Sequence, residues 1–171
     1  MGKAWFPGAN DNASGISMLL ELAHHYAQNP GKYSMAFIAF GGEEAGLIGS
    51  RHYTLYPLFP LENIKVLINL DLVGTGDDGM TVVNGSIFQK DFEKLVAINQ
   101  DKQYMPTIKK RGTAANSDHY FFSKRGVKAF FFYTLGGIKA YHDIYDRAET
   151  LPLTRYTEFF QLMKDFINIQ E

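Results

Sequence analysis

Two glutamates, Glu43 and Glu44, stand side by side between Gly41-Gly42 and Ala45-Gly46, where an apolar run ends. Adjacent carboxylates can divide two tasks, one holding a cation and the other moving protons. On a regular strand neighbouring side chains point to opposite faces, so this pair shares a site only if the backbone turns. Gly41, Gly42 and Gly46 permit that turn. Taken alone, the pair reads equally as the acidic start of a helix, which the helix dipole favours. Other acids and an imidazole must decide. Asp71 lies inside the run INLDLVG, where an unpaired carboxylate would be expensive to bury, so it either faces a ligand or makes a structural ion pair. Asp11 sits in the opening loop PGANDNAS, where capping of the following helix is the local alternative. His142 lies in AYHDIYD, with carboxylates close enough to orient its free ring nitrogen. Four carboxylates and one imidazole on one rim would repel unless a cation lay between them. The sequence has no cysteine, so a cation such as zinc would be held by imidazole and carboxylate alone.

The elements that must position these groups follow from hydrophobic period. Ile16, Leu19, Leu20, Ala23 and Ala27 recur at helical spacing over residues 13–28, and Asn29-Pro30-Gly31 stops that helix. Residues 35–40 and 66–73 are continuous apolar runs, as expected of strands covered on both faces, with a helix over 45–55 between them. A shorter strand over 80–83, a helix over 88–100 and an edge strand over 107–110 come next. A helix over 117–123, a strand over 127–134 and an amphipathic helix over 156–169 complete the chain. Strands alternating with helices imply an α/β layered sheet. In such sheets ligands bind beyond the carboxyl ends of parallel strands, which is where Glu43, Glu44, Asp71 and His142 fall. The run Phe130-Phe131-Phe132-Tyr133 reads as core, not as a stacking platform for bases or sugars.

Composition bounds the rest. At 171 residues, 46% hydrophobic and 15% aromatic, the chain suits one folded domain or a piece of a larger one. Seventeen basic against eighteen acidic residues give a net charge of -1, without the basic stripe that nucleic-acid binding requires. No apolar run approaches the roughly 20 residues of a membrane helix, so no membrane partner is expected. The opening MGKAWF lacks the apolar stretch of a signal peptide. His24, His25, His52 and His119 lack ligand-like spacing and are expected to be structural or solvent-facing.

The order of motifs resembles the M28 zinc peptidases, which include leucyl-type aminopeptidases and the related glutaminyl cyclases. The segments are PGANDNASG at 7–15, GEEAGLIGS at 42–50, NLD at 69–71, SDH at 117–119 and YHDIYD at 141–146. The resemblance implies a three-layer α/β/α fold with a mostly parallel mixed sheet, as a single, partial catalytic domain over 1–171. It implies roles residue by residue. Asp11 would bridge two zinc ions, Glu44 and His142 would complete one site, Asp71 would belong to the other, and Glu43 would be the general base. Asp118, Tyr141 and Asp146 would shape the site or contact the peptide substrate, although helix capping explains Asp118 as well.

One motif of the family is absent. Its members carry, upstream of the Asp11 loop, a strand ending in His-x-Asp whose histidine ligates the second zinc, and here six residues precede Pro7. An amino-terminally shortened domain is therefore expected, with one zinc per chain in place of two and low peptidase activity. The missing strand would leave an exposed edge, so a homodimer is also expected. The compartment stays open, since many relatives are exported to the periplasm or secreted. A glutaminyl cyclase using one zinc is the enzymatic rival, and a non-catalytic binding domain of the same fold is the third reading. GEEAGLIGS and Tyr141, where cyclases tend to have Trp, favour the peptidase.

Overall fold

The computed structural model describes residues 4–170. Its centre is the aromatic run just noted: Ala129–Leu135 forms β4, which lies between β1 (Leu67–Leu70) and β2 (Gly79–Val83), with β3 (Ile108–Lys110) beyond β2. β1 pairs parallel with β4 and β2 parallel with β3, while β2 and β4 run antiparallel, giving the expected mixed sheet. A strand with neighbours on both edges and helices on both faces reads as a largely apolar run, and AFFFYTL is one, with the buried Thr134 hydroxyl donating to the Leu72 carbonyl.

Alternation along β4 sends Phe130 and Phe132 to one core and Ala129 to another. The first core takes Met18, Leu22 and Tyr26 from α1 (Gly15–Gln28) and Phe92 and Leu95 from α3 (Gln89–Lys102). It also takes Phe159, Leu162, Met163 and Phe166 from α5 (Tyr156–Asn168), at the i, i+3, i+4, i+7 spacing of a helical stripe. The second core, on the opposite face, joins Phe122 of α4 (His119–Ser123) to Val127 and Ala129, with Phe40 and Tyr53 of α2 (Ile48–Leu55) against it. Helices on both faces make the three layers.

Residues 35–40, expected as a buried strand, join no sheet among the described residues. Ala36, Phe37 and Ala39 are exposed, and Met35, Ile38 and Phe40 half-buried. An apolar run reads as a strand from its side chains, but a ladder also needs a neighbour at about 4.8 Å. This segment instead faces β1 and α1 across a groove of about 870 Å³. The groove matters for function because Asp11, Glu43, Glu44, Asp71 and Asp118 line it too. The strand expected over 66–73 ends as regular strand at Leu70; the Asp71 N–H and the Leu72 carbonyl still bond β4, but Leu72 turns the chain at a left-handed φ of 55. Asp71 therefore stands just past the carboxyl end of β1, at the same sheet edge from which the parallel β4 leads into the His142 loop.

Candidate active site

Asp11 is held in a tight turn, Ala9–Ser14, whose interior departs from helical geometry at Asp11 (φ -112, ψ 86) and Asn12 (φ -135, ψ 41). Gly8 opens it at φ 66, and a Cβ there would meet the Asp11 carbonyl oxygen at 2.5 Å, so only glycine fits. The capping expected of Asp11 is performed by its neighbour. Asn12 Oδ1 accepts the Gly15 N–H at 3.0 Å and the Leu72 N–H at 3.3 Å, while Asn12 Nδ2 donates to the Leu70 carbonyl at 3.0 Å. Asn10 Oδ1 accepts the Gly74 N–H at 2.8 Å in the same way. These two asparagines tie the loop to the end of β1 and leave the Asp11 carboxylate free to face the groove. Nothing in their side chains suggested chemistry. The signal was their flanking of a lone Asp in a loop between a glycine and a helix.

The Gly-Gly-Glu-Glu segment turns as its glycines allow. Gly42 sits at φ 70, and the Glu43 carbonyl accepts the N–H groups of Gly46 and Leu47 at 3.0 and 2.8 Å. That turn occupies the start of the helix expected over 45–55, which begins at Ile48. It also brings both glutamates to one groove, which a strand could not do.

His142, itself at φ 54, points its Nε2 to within 3.2 Å of Asp11 Oδ2 and 3.1 Å of Glu44 Oε1. Among the described residues Asp11, Glu44 and His142 are the one group of three potential donors whose ligand atoms all lie within 4.8 Å of one another. Tetrahedral donors at about 2.0–2.1 Å from zinc stand about 3.3–3.4 Å apart, so the two nearer separations fit a shared ion. The set is open on one side, with Glu44 64% and His142 51% exposed against 12% for Asp11. The Tyr141 ring stacks on the imidazole with centroids 3.8 Å apart. Neither expected carboxylate meets that ring: Asp143 Oδ1 accepts the Tyr145 N–H at 3.0 Å, and Asp146 turns to the Asp11 loop, accepting the Asn10 and Asp11 N–H groups.

Asp71 falls outside this set. It is 9% exposed and makes no ion pair among the described residues. Its Oδ2 accepts from Ser117 Oγ at 3.4 Å, Ser117 in turn accepts from Asn69 Nδ2 at 2.7 Å, and its Oδ1 is buried without a partner. Asp118 begins α4 without capping it, and its buried Oδ1 is likewise unpartnered. Orphaned acceptors at the end of a groove suit a cation or a positively charged substrate group. Ser117 and Asn69 carried no signal beyond polarity and their places in the SDH and NLD segments. The other histidines lie elsewhere: His119 is fully buried against Phe131, and burial pushes its pKa down to about 4. His24, His25 and His52 pack on Gln28, Tyr26 and Tyr56.

Crowded acids in a partly dry groove disfavour their own ionisation. Burial, then Glu44 and Asp118, push Glu43 from 4.5 up to about 7. Burial, then Asp11 and Glu43, push Asp71 from 3.8 up to about 7. Burial also raises Asp11 and Asp118. A group whose pKa is raised by folding contributes stability below its unfolded value and loses it as pH rises through the folded value. The metal-free chain is therefore expected to lose stability between about pH 4 and pH 7. Urea unfolding in chelator should give a lower midpoint at pH 8 than at pH 5.5, and zinc at pH 8 should restore it. A midpoint that climbs over this interval would contradict the crowding.

Comparison with known proteins agrees with this fold. The aminopeptidase YwaD of Bacillus subtilis (strain 168) is 49% identical over 70 residues, which is 40% of this chain and 15% of that protein. The crystal structure of BSAP, a zinc aminopeptidase from Bacillus subtilis, superposes with a TM-score of 0.81 at 29% identity, covering 95% of this chain and 42% of that one. A glutaminyl cyclase from Bacteroides thetaiotaomicron shares the fold, with a TM-score of 0.73 at 22% identity over 94% of this chain and 63% of that one. The chain thus spans less than half the length of the Bacillus proteins it matches. The sequence profile of peptidase family M28 runs from residue 2 to residue 167, through every loop that carries these carboxylates and the imidazole, and the chain belongs to that family.

Proposed function

We propose that this chain carries the catalytic residues of a zinc-dependent aminopeptidase that releases amino-terminal residues from peptides. The observation that carries the reading is the placement of Glu43 on the groove that Asp11 and Glu44 line, next to the Asp11, Glu44 and His142 donor set without membership of it. Asp11, Glu44 and His142 would hold the ion, leaving one position open, as in catalytic zinc sites. Zinc bound there supplies Lewis acidity, polarising a scissile carbonyl and acidifying water. Glu43 takes the proton from the attacking water and passes it to the leaving amine. A carboxyl beside the donor set but outside it is placed for both halves of that transfer. Asp71 and Asp118 leave surplus negative charge in the groove, complementary to a peptide's amino-terminal ammonium.

We infer one zinc per chain. Among the described residues Asp11, Glu44 and His142 are the one group of three donors close enough together to share an ion. With zinc added, the chain should hydrolyse leucyl para-nitroanilide and leave an amino-terminal glutaminyl peptide uncyclised. Cyclisation without hydrolysis would move the reading to a glutaminyl cyclase. Two tightly held zinc ions per chain would refute the count.

A further inference from the structure

We propose that Asp146 is a positioning residue that sets the distance between Asp11 and His142, locking the metal-donor set before any ion arrives. This rests on the zinc reading above but concerns a residue outside the donor set. Asp146 is 2% exposed and ends the loop that carries His142. Three consecutive peptide N–H groups of the opposite loop converge on it. Ala9 N–H donates to its backbone carbonyl at 3.2 Å, Asn10 N–H to Oδ1 at 2.8 Å, and Asp11 N–H to Oδ2 at 2.9 Å. Its own N–H donates to the Asp143 carbonyl at 3.1 Å, closing the turn that follows His142. One residue therefore spans both loops, and the 3.2 Å separation of His142 Nε2 from Asp11 Oδ2 is measured across that span.

The chemistry requires a carboxylate. Helical N–H groups donate to carbonyls four residues earlier, so the N–H groups of residues 10 and 11, ahead of α1 in an irregular turn, need acceptors from elsewhere. Two donors arriving on one side chain need two oxygens without a hydrogen of their own, and charge-assisted bonds of this kind are short and directional. Asparagine keeps the shape but offers one oxygen and an NH₂ group. One backbone N–H would then face another donor, and the Asp11 loop would shift away from His142.

Equilibrium zinc affinity, read by competition with a chromophoric chelator, tests this without reference to peptidase turnover. Asp146→Asn is expected to lower affinity by about 10–100-fold, the range for residues that orient metal ligands. Asn99→Ala serves as the control for a purely structural clamp, because Asn99 accepts the Met105 N–H at 2.7 Å and donates to the Met105 carbonyl at 2.8 Å outside the groove. It should lose stability yet keep zinc affinity within about threefold of the parent. Should Asp146→Asn not fold, Asp146→Glu, which keeps both oxygens on a longer arm, should itself weaken zinc by at least about threefold. Wild-type binding with an unchanged affinity in the Asp146 variant overturns this inference alone, as does an equal loss in Asn99→Ala. A wild-type chain that binds no zinc overturns the metal reading and this inference with it.

Discussion

Glu43→Gln is expected to lower zinc-dependent hydrolysis of a leucyl arylamide by about 10²–10⁴-fold, the share that a positioned general base supplies. Zinc affinity should stay within about threefold of the parent, because Glu43 lies outside the donor set. The turn should survive too, since its hydrogen bonds use the Glu43 carbonyl and leave the side chain free. A second consequence needs no turnover. Glu43 ionises reluctantly because it is buried beside Glu44, Asp118 and Asp11. Above pH 7 the parent holds that charge against its surroundings, whereas the amide never carries it. Metal-free Glu43→Gln should therefore be more stable than the parent at pH 8 and close to it near pH 4, below the unfolded value of 4.5, a gain in stability from the loss of a catalytic group. Urea midpoints at the two pH values read this directly. An unchanged rate would remove Glu43 as the base, and a collapse in zinc affinity would make it a ligand.

The sequence was most legible where local pattern and tertiary demand coincide. β4 had to be central, because Phe130, Phe131 and Phe132 together are tolerated only with cover on both faces. α5 declared its buried stripe through Phe159, Met163 and Phe166. The site residues were legible because chemistry restricts type: an acid in INLDLVG and two acids after a strand-like run have few uses. What stayed hidden is set by partners distant along the chain. Residues 35–40 have the composition of a strand, but strand formation belongs to a pair, and the facing edge of β1 lies across the groove. Asp11 looked like a helix cap because local sequence cannot say that Asn12 takes that task. Asp146 looked like a partner for the His142 ring, four residues away. Its actual partners, Asn10 and Asp11, lie 136 and 135 residues away. Hydrogen-bond direction is a tertiary property, and no periodicity encodes it.

His142→Ala should abolish high-affinity zinc binding while leaving the fold in place. The imidazole is the one nitrogen in the donor set, and its side chain is half exposed on a loop, so truncation empties no core. Two carboxylates alone remain, Asp11 and Glu44. Oxygen-only sets suit magnesium and calcium better than zinc, so selectivity should shift along with affinity. Loss of a ligand must exceed the about 10–100-fold effect of disturbing a residue behind one, which sets the expected drop on the order of 10³-fold or more. Removing His142 also removes the charge that opposes the upward shift of Asp11. The variant's residual binding should therefore weaken further as pH falls, because Asp11 takes up a proton more readily than in the parent. His52→Ala is the matched control, since His52 is exposed and packs on Tyr56 outside the groove. Chelator competition on the three proteins decides the matter. Zinc affinity within about threefold of the parent in His142→Ala would place the ion elsewhere, with Asp71 and Asp118 as the carboxylates left to hold it.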